Sequence, residues 1–486
     1  MGIIVCILLG LFMALEPITD NDYFWHIVVG KWINNNHMIP STELFSWASG
    51  KAWVAHEWLN EFIMYKAGHL GCLLIMLGIF LILYILMAKM LRLKFKKLLD
   101  FKLCYFLLMT VFFKVTGPRP YIVSLVFLAY LVYVLFSYLD REAWAKKAIY
   151  TLPVLQILWV NFHGGSSSLI YLFIIGVFMC DIFVKIFKFK PNRWNTFKLD
   201  KKQIKTLGIV LVLTIIASLI NPFGVKMLWY PFSNMLDNSM TSYILEWNSP
   251  SFHNFLGLYI FIMIAFPLFN LILGKRDMKL HEIGFQLMFF FMALKSQRFI
   301  GMYGIYSCWN IGKYFFVTDD IYASLKKPFK RIEKPIYYLT CCILVAGTIL
   351  VGYKQVKSLR NTGLIDNDGF YSDTAVEKLV SLEPKRLYND YSQGGYLLYK
   401  LDSLNALDKV KVFSYGLGDV FSKDLLPDTV NLQDLYEDPE EILDKYNFDY
   451  LITTVNHTLH YYLEVNPDYE LIYSDEMCYI FKKLEA

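Results

Sequence analysis

Charge is scarce in this sequence. Only 18% of its 486 residues are Asp, Glu, Lys or Arg, against roughly a quarter in an ordinary soluble domain. A larger core cannot absorb the deficit, because the charges are bunched in short clusters between long apolar runs. That alternation excludes a simple soluble fold and reads as a multi-span membrane protein. Nucleotide signatures are missing too. There is no GxGxxG and no GK[ST], so neither a dinucleotide site nor a phosphate loop is expected, and Gln393-Gly394-Gly395 is a plain turn. The eight cysteines show no zinc or disulfide spacing. The first apolar run, Gly2 to Leu15, has no basic n-region and no small-residue cleavage site, so a spanning helix is expected there rather than a signal peptide. The net charge of +5 gives no reason to expect nucleic acid, since Lys and Arg lie mostly in short connectors.

What the sequence does have is apolar length. About eleven spans are expected, near 2–16, 69–90, 103–116, 121–138, 148–161, 167–187, 207–220, 256–273, 283–294, 299–316 and 336–353. Threading them splits the loops into two sets. One set (89–102, 140–147, 181–206, 275–282, 313–334) holds 26 Lys and Arg in 78 positions; the other (17–68, 114–120, 161–166, 221–255, 295–298) holds 8 in 104. Basic loops stay in the cytoplasm. The reading is therefore a multi-pass plasma (inner) membrane protein with a cytoplasmic N-terminus and an extracytoplasmic tail. Residues 1–353 are expected to form the helical membrane domain. Residues 354–486 turn soluble in composition, and their alternation of helical and strand patterns predicts a small α/β domain. Its strands are expected near 385–388, 410–415, 450–455, 470–473 and 478–482.

The outer loops are long and rich in Asp, Glu, His, Asn and aromatic residues, whereas loops that only connect are short. The first, 17–68, repeats apolar residues at helical spacing twice: Phe24, Ile27, Val28 and Trp32, then Trp58, Leu59, Phe62 and Ile63. Both segments are expected to lie as amphipathic helices in the membrane interface. Asp20 and Asp22 stand at i and i+2 directly after the first span, a pattern that suits a general base or a divalent cation. The plain reading is that one of them caps the helix starting near Tyr23. His26, the pair His56-Glu57, and Glu43 follow in the same loop. Span centres carry almost no ionisable residues, which weakens ion-coupled transport; Lys114, Asp181 and Lys185 fall near span ends.

Cations are few on the outer side. Arg119, in Gly117-Pro118-Arg119-Pro120, and Lys295 and Arg298, in Lys295-Ser296-Gln297-Arg298, occupy tight turns. Such residues snorkel to headgroups by default, yet three together also form a candidate clamp for the phosphate of a lipid carrier. His163, in Asn161-Phe162-His163-Gly164-Gly165, and Glu246, in the segment from Asn221 to Trp247, complete an outer rim.

Several of these runs resemble a known group. Asp20-Asn21-Asp22-Tyr23-Phe24-Trp25-His26, Gly30-Lys31-Trp32-Ile33, Ile39-Pro40, Phe45-Ser46 and His56-Glu57-Trp58-Leu59 are similar to the first outer loop of bacterial and archaeal membrane proteins placed with the GT-C fold glycosyltransferases. Trp159 to Gly165, Asn221-Pro222-Phe223-Gly224 and Asn389 to Leu397 extend the resemblance over nearly the whole chain. The resemblance implies a polytopic GT-C-like fold. It also implies a glycosyltransferase that takes a sugar from a polyprenyl-phosphate carrier, with an acid at the start of the first outer loop as base. That acid corresponds to Asp20 or Asp22; the chain has Asp-Asn-Asp where better-known members have an adjacent Asp-Glu pair. The expectation is inverting transfer to an acceptor hydroxyl on a glycan, lipid or protein. Arg119, Lys295 or Arg298 would stabilise the leaving phosphate, and His26, His56, Glu57, His163 and Glu246 would line the substrate site. The alternative is a non-enzymatic flippase or carrier of lipid-linked envelope precursors, which needs no base.

Overall fold

The computed structural model describes residues 2–93, 102–113, 117–187, 194–195, 198–235, 238–273, 278–316 and 333–484. Lys114 and parts of the basic loops expected at 89–102, 181–206, 275–282 and 313–334 lie outside the described residues. Among the described residues, five helical stretches are long and apolar enough to cross a membrane: Trp58–Met90, Tyr121–Leu139, Gly164–Phe187, Phe255–Leu273 and Tyr338–Thr362. They carry exposed apolar side chains, such as Leu74, Ile182, Phe261 and Ile343; water would not tolerate so much bare apolar surface, but lipid does. The other expected spans coincide with helices of 11 to 17 residues: Gly2–Ala14, Lys102–Phe112, Leu152–Phe162, Lys201–Ala217, Leu280–Lys295 and Ile300–Tyr314.

The longest helix, Trp58–Met90, is two helices joined at a kink. Gly68 has φ +64° and ψ 178° between the pre-membrane piece and the apolar piece. Only glycine takes that conformation without strain. The expected break between a loop helix and a span at residue 69 therefore has a local cause.

Loops assigned to one side of the membrane touch one another. On the basic side, the ammonium of Lys313 lies 2.6 Å from an Asp140 oxygen and 2.9 Å from Glu282 Oε1, and 194–195 pairs in parallel with 278–279. Asp181 is held by Lys185 at 2.5 Å and accepts from the Leu199 N–H.

Strand Leu387–Asn389 pairs in parallel with Tyr450–Thr454, which runs antiparallel to Cys478–Lys483, itself antiparallel to Tyr469–Ser474. The strand expected at 410–415 does not join this sheet. Its backbone is spoken for elsewhere: Phe413 N–H donates to Asn389 Oδ1, and Val412 C=O accepts from the Trp47 N–H of the first loop.

One expectation is corrected here. The helix Asn21–Asn36 does not lie in a lipid interface. Tyr23 to Gly30 are all buried, with the pre-membrane part of Trp58–Met90 on one side and helix Gly394–Ser403 on the other. A helix apolar on both faces needs two partners, and the tail provides the second. Gly30 and Gly395 allow the approach: a Cβ on either would sit 2.1 Å from Glu61 O or 2.3 Å from Asn21 O, respectively. Trp25, Val29, Phe45 and Trp53 share one apolar core with Tyr388, Leu397, Val412, Tyr415 and Phe481. Lys354, where the tail was expected to begin, falls inside helix Glu333–Thr362.

Candidate active site

A cleft of about 1090 Å³ opens where the first loop, the outer turns and the tail meet. Asp20, Asp22, His26, His56, Glu57, Arg119, His163, Glu246 and Arg298 all line it. Lys295 does not: it is exposed, at the end of helix Leu280–Lys295, outside the cleft wall.

Asp20 and Asp22 stand differently in the cleft. Asp20 caps helix Asn21–Asn36, its Oδ1 accepting the Asp22 N–H at 3.0 Å. The same carboxylate takes a fork from Arg119, with Nη2 at 2.8 Å from Oδ1 and Nε on Oδ2. Its side chain is only 1% exposed. Asp22 is a third exposed, and its Oδ2 lies 3.2 Å from Arg119 Nη1. That nitrogen also donates to Glu246 Oε1 at 2.7 Å. The cation between the two aspartates is thus a guanidinium. Burial pushes the Asp22 carboxyl up to about 6, against the pull of Arg119 and with the push of Asp20 and Glu246. Arg298 is less engaged. It lies over the Trp247 ring at 5.1 Å and 4.0 Å from Glu246 Oε2.

Deeper in the cleft, three histidines surround Glu57. Its Oε1 is 3.2 Å from His163 Nε2 and 3.6 Å from His56 Nε2; its Oε2 is 3.8 Å from His26 Nε2. The remaining ring nitrogens are all engaged. His26 Nδ1 meets Glu61 Oε1 at 2.9 Å, His163 Nδ1 meets Ser124 Oγ at 2.8 Å, and His56 Nδ1 meets Tyr230 Oη at 2.8 Å. Burial pushes His56 down to about 3 and His26 and His163 well below the usual range, disfavouring the charged rings. It pushes Glu57 up to about 8, opposed by Arg298 and helped by Asp419 and Asp22. Among the described residues, two groups have ligand atoms close enough to hold a metal ion: His56, Glu57 and His163, and His26, Glu57 and Glu61.

Four residues of this constellation were not singled out from the sequence. Glu61 sits one turn after Glu57 on the same helix face, which was a usable signal. Asp419, bonded by the Tyr230 hydroxyl at 2.7 Å, follows the Gly416-Leu417-Gly418 turn of the tail. Ser124 and Tyr230 carried no signal.

No known protein family and no curated protein matches the chain by sequence. Among solved structures it is similar to the archaeal oligosaccharyltransferase AglB from Archaeoglobus fulgidus, in complex with an inhibitory peptide and a dolichol-phosphate. The TM-score is 0.53 at 9% identity, over 94% of this chain and 69% of that one. At that identity the likeness is one of fold alone.

Proposed function

We propose that this protein is a multi-pass membrane glycosyltransferase of the GT-C type, transferring a sugar with inversion from a polyprenyl-phosphate carrier to an acceptor hydroxyl at the outer face. In this reading all eleven apolar helices span the membrane or dip into it, the basic loops are cytoplasmic, and the cleft and tail are extracytoplasmic. Contacts within each loop set support the threading. The fold likeness to an oligosaccharyltransferase supports the class.

The observation that carries the reading is the division of labour at the cleft: Asp20 is locked under Arg119, while Asp22 stays partly open in the same cleft as Arg298. Asp22 takes the proton from the acceptor hydroxyl as its oxygen attacks the anomeric carbon. The bond from that carbon to the phosphate oxygen breaks, and its electron pair leaves with the polyprenyl phosphate. Arg298 offsets the charge that develops there. The acceptor is a glycan, lipid or protein hydroxyl.

The test uses the full chain in detergent with polyprenyl-phosphate sugars. A general base contributes about 10²–10⁴-fold, so Asp22→Asn should lose transfer on that scale while keeping the unfolding temperature. Wild-type transfer by Asp22→Asn ends the assignment. A carrier or flippase shows no transfer in any variant and moves labelled lipid across vesicles instead.

A further inference from the structure

We infer that His56, Glu57 and His163 form a binding site for one first-row divalent metal ion, zinc being the best match, with its open side on the cleft. The tautomer of His56 starts the case. Its Nδ1 has two neighbours, the Val54 carbonyl at 3.3 Å and the Tyr230 hydroxyl at 2.8 Å. The carbonyl can only accept, and the hydroxyl has committed its own proton to Asp419 Oδ2. The His56 proton is therefore on Nδ1, and Nε2 presents a bare lone pair. That lone pair faces Glu57 Oε1 across 3.6 Å, too far for a hydrogen bond even from a protonated carboxyl. Both groups sit in a wall where each side chain is at most 15% exposed.

The distances fit a cation held between them. Tetrahedral ligands on bonds of about 2.0–2.2 Å stand roughly 3.3–3.6 Å apart. Glu57 Oε1 is 3.6 Å from His56 Nε2 and 3.2 Å from His163 Nε2, and the three ligand atoms lie within 4.8 Å of one another. Two imidazoles and one carboxylate select a borderline metal over magnesium or calcium. The outer shell has the expected form as well, since metal-bound histidines have their other nitrogen fixed: Tyr230 and Val54 hold His56, and Ser124 holds His163. Ser124 is itself bonded by Trp159 Nε1 at 2.8 Å. His26 fits the outer shell rather than the ligand set, because its Nδ1 is already bonded to Glu61 and its Nε2 flanks the second Glu57 oxygen. With three protein ligands the ion keeps a free position, as catalytic rather than structural sites do. Both histidines and Glu57 line the cleft, so the free position can take a water or an anionic oxygen.

This site does not depend on the transferase reading. Full-length protein in detergent, stripped with a chelator and re-exposed to Co²⁺ and then Zn²⁺, should bind about one equivalent per chain, and Co²⁺ should give a visible spectrum that Zn²⁺ abolishes. His56→Ala and Glu57→Gln should weaken binding by at least about tenfold, and Lys295→Ala, outside the cleft, should leave it unchanged. Sub-stoichiometric binding by the native chain, or undiminished binding by both variants, overturns the site. Should the variants fail to fold, pulsed electron paramagnetic resonance of the Cu²⁺-loaded native chain decides: coupling to two imidazoles supports the site, and its absence overturns it. An ion bound without sugar transfer sinks the transferase reading alone; sugar transfer by a chain that binds no ion sinks the site alone.

Discussion

Arg119 grips Asp20 through both Nε and Nη2, and does so 99 residues away in sequence. The fork satisfies a carboxylate that is only 1% exposed, while the neighbouring Asp22, touched by the remaining guanidinium nitrogen, is a third exposed to the cleft.

Removing the fork should be costly. Breaking a buried pair by deleting one partner costs roughly 3–5 kcal/mol, because the other charge stays buried. Arg119→Ala should therefore lower the unfolding temperature sharply. Arg119→Lys, which keeps the charge but not the planar fork, should fall between. A native unfolding temperature in Arg119→Ala would refute the pairing.

The pH profile of transfer should follow Asp22. A base works only when unprotonated, and this carboxyl is held at about 6. The transfer rate should therefore climb with pH through about 6 and level off above it. A profile that is flat from about pH 5 to about pH 8 points to another base.

Gly416 allows the Asp22 carboxylate its position. A Cβ there would stand 2.0 Å from Asp22 Oδ1 and 2.7 Å from Trp25 Nε1. Gly416→Ala should displace the carboxylate and lower transfer on the order of a hundredfold, with substrate binding less affected. Gly50→Ala, whose Cβ meets nothing within 4 Å, is the control. Equal rates in the two variants would remove Gly416 from the account.

Gly30→Ala and Gly395→Ala should each destabilise by roughly 1–3 kcal/mol, since backbone rather than a yielding side chain stands against the new methyl. The readout is unfolding temperature, and limited proteolysis should show the first loop opening first. Native protease resistance in both variants would mean that the loop is held by something else.

Many of the apolar helices were legible in the sequence, because hydropathy is a local property and each expected span meets a helix, five of them long and apolar enough to cross a membrane among the described residues. The aspartate roles were not, since the spacing of Asp20 and Asp22 is the same whichever one caps. Only the partner, Arg119, separates them. The histidines at 26, 56 and 163 were each visible, but their convergence on Glu57 is a product of packing across more than a hundred residues. The pre-membrane helix also hid its orientation. Its apolar residues Trp58, Leu59, Phe62 and Ile63 are half-buried, while Asn60, Glu61 and Met64 face inward. Helix Asn21–Asn36 misled more, because a segment apolar on two faces reads as amphipathic when its second neighbour lies nearly four hundred positions downstream.

That second neighbour has a bearing on biogenesis. Helix Asn21–Asn36 cannot bury its far side until helix Gly394–Ser403 has been made, since Tyr396, whose N–H donates to Asn21 Oδ1, lies 375 positions downstream. Until then the nascent chain carries a bare aromatic surface, open to chaperones and proteases, and the cleft lacks the wall that Tyr391, Asp419 and His457 supply.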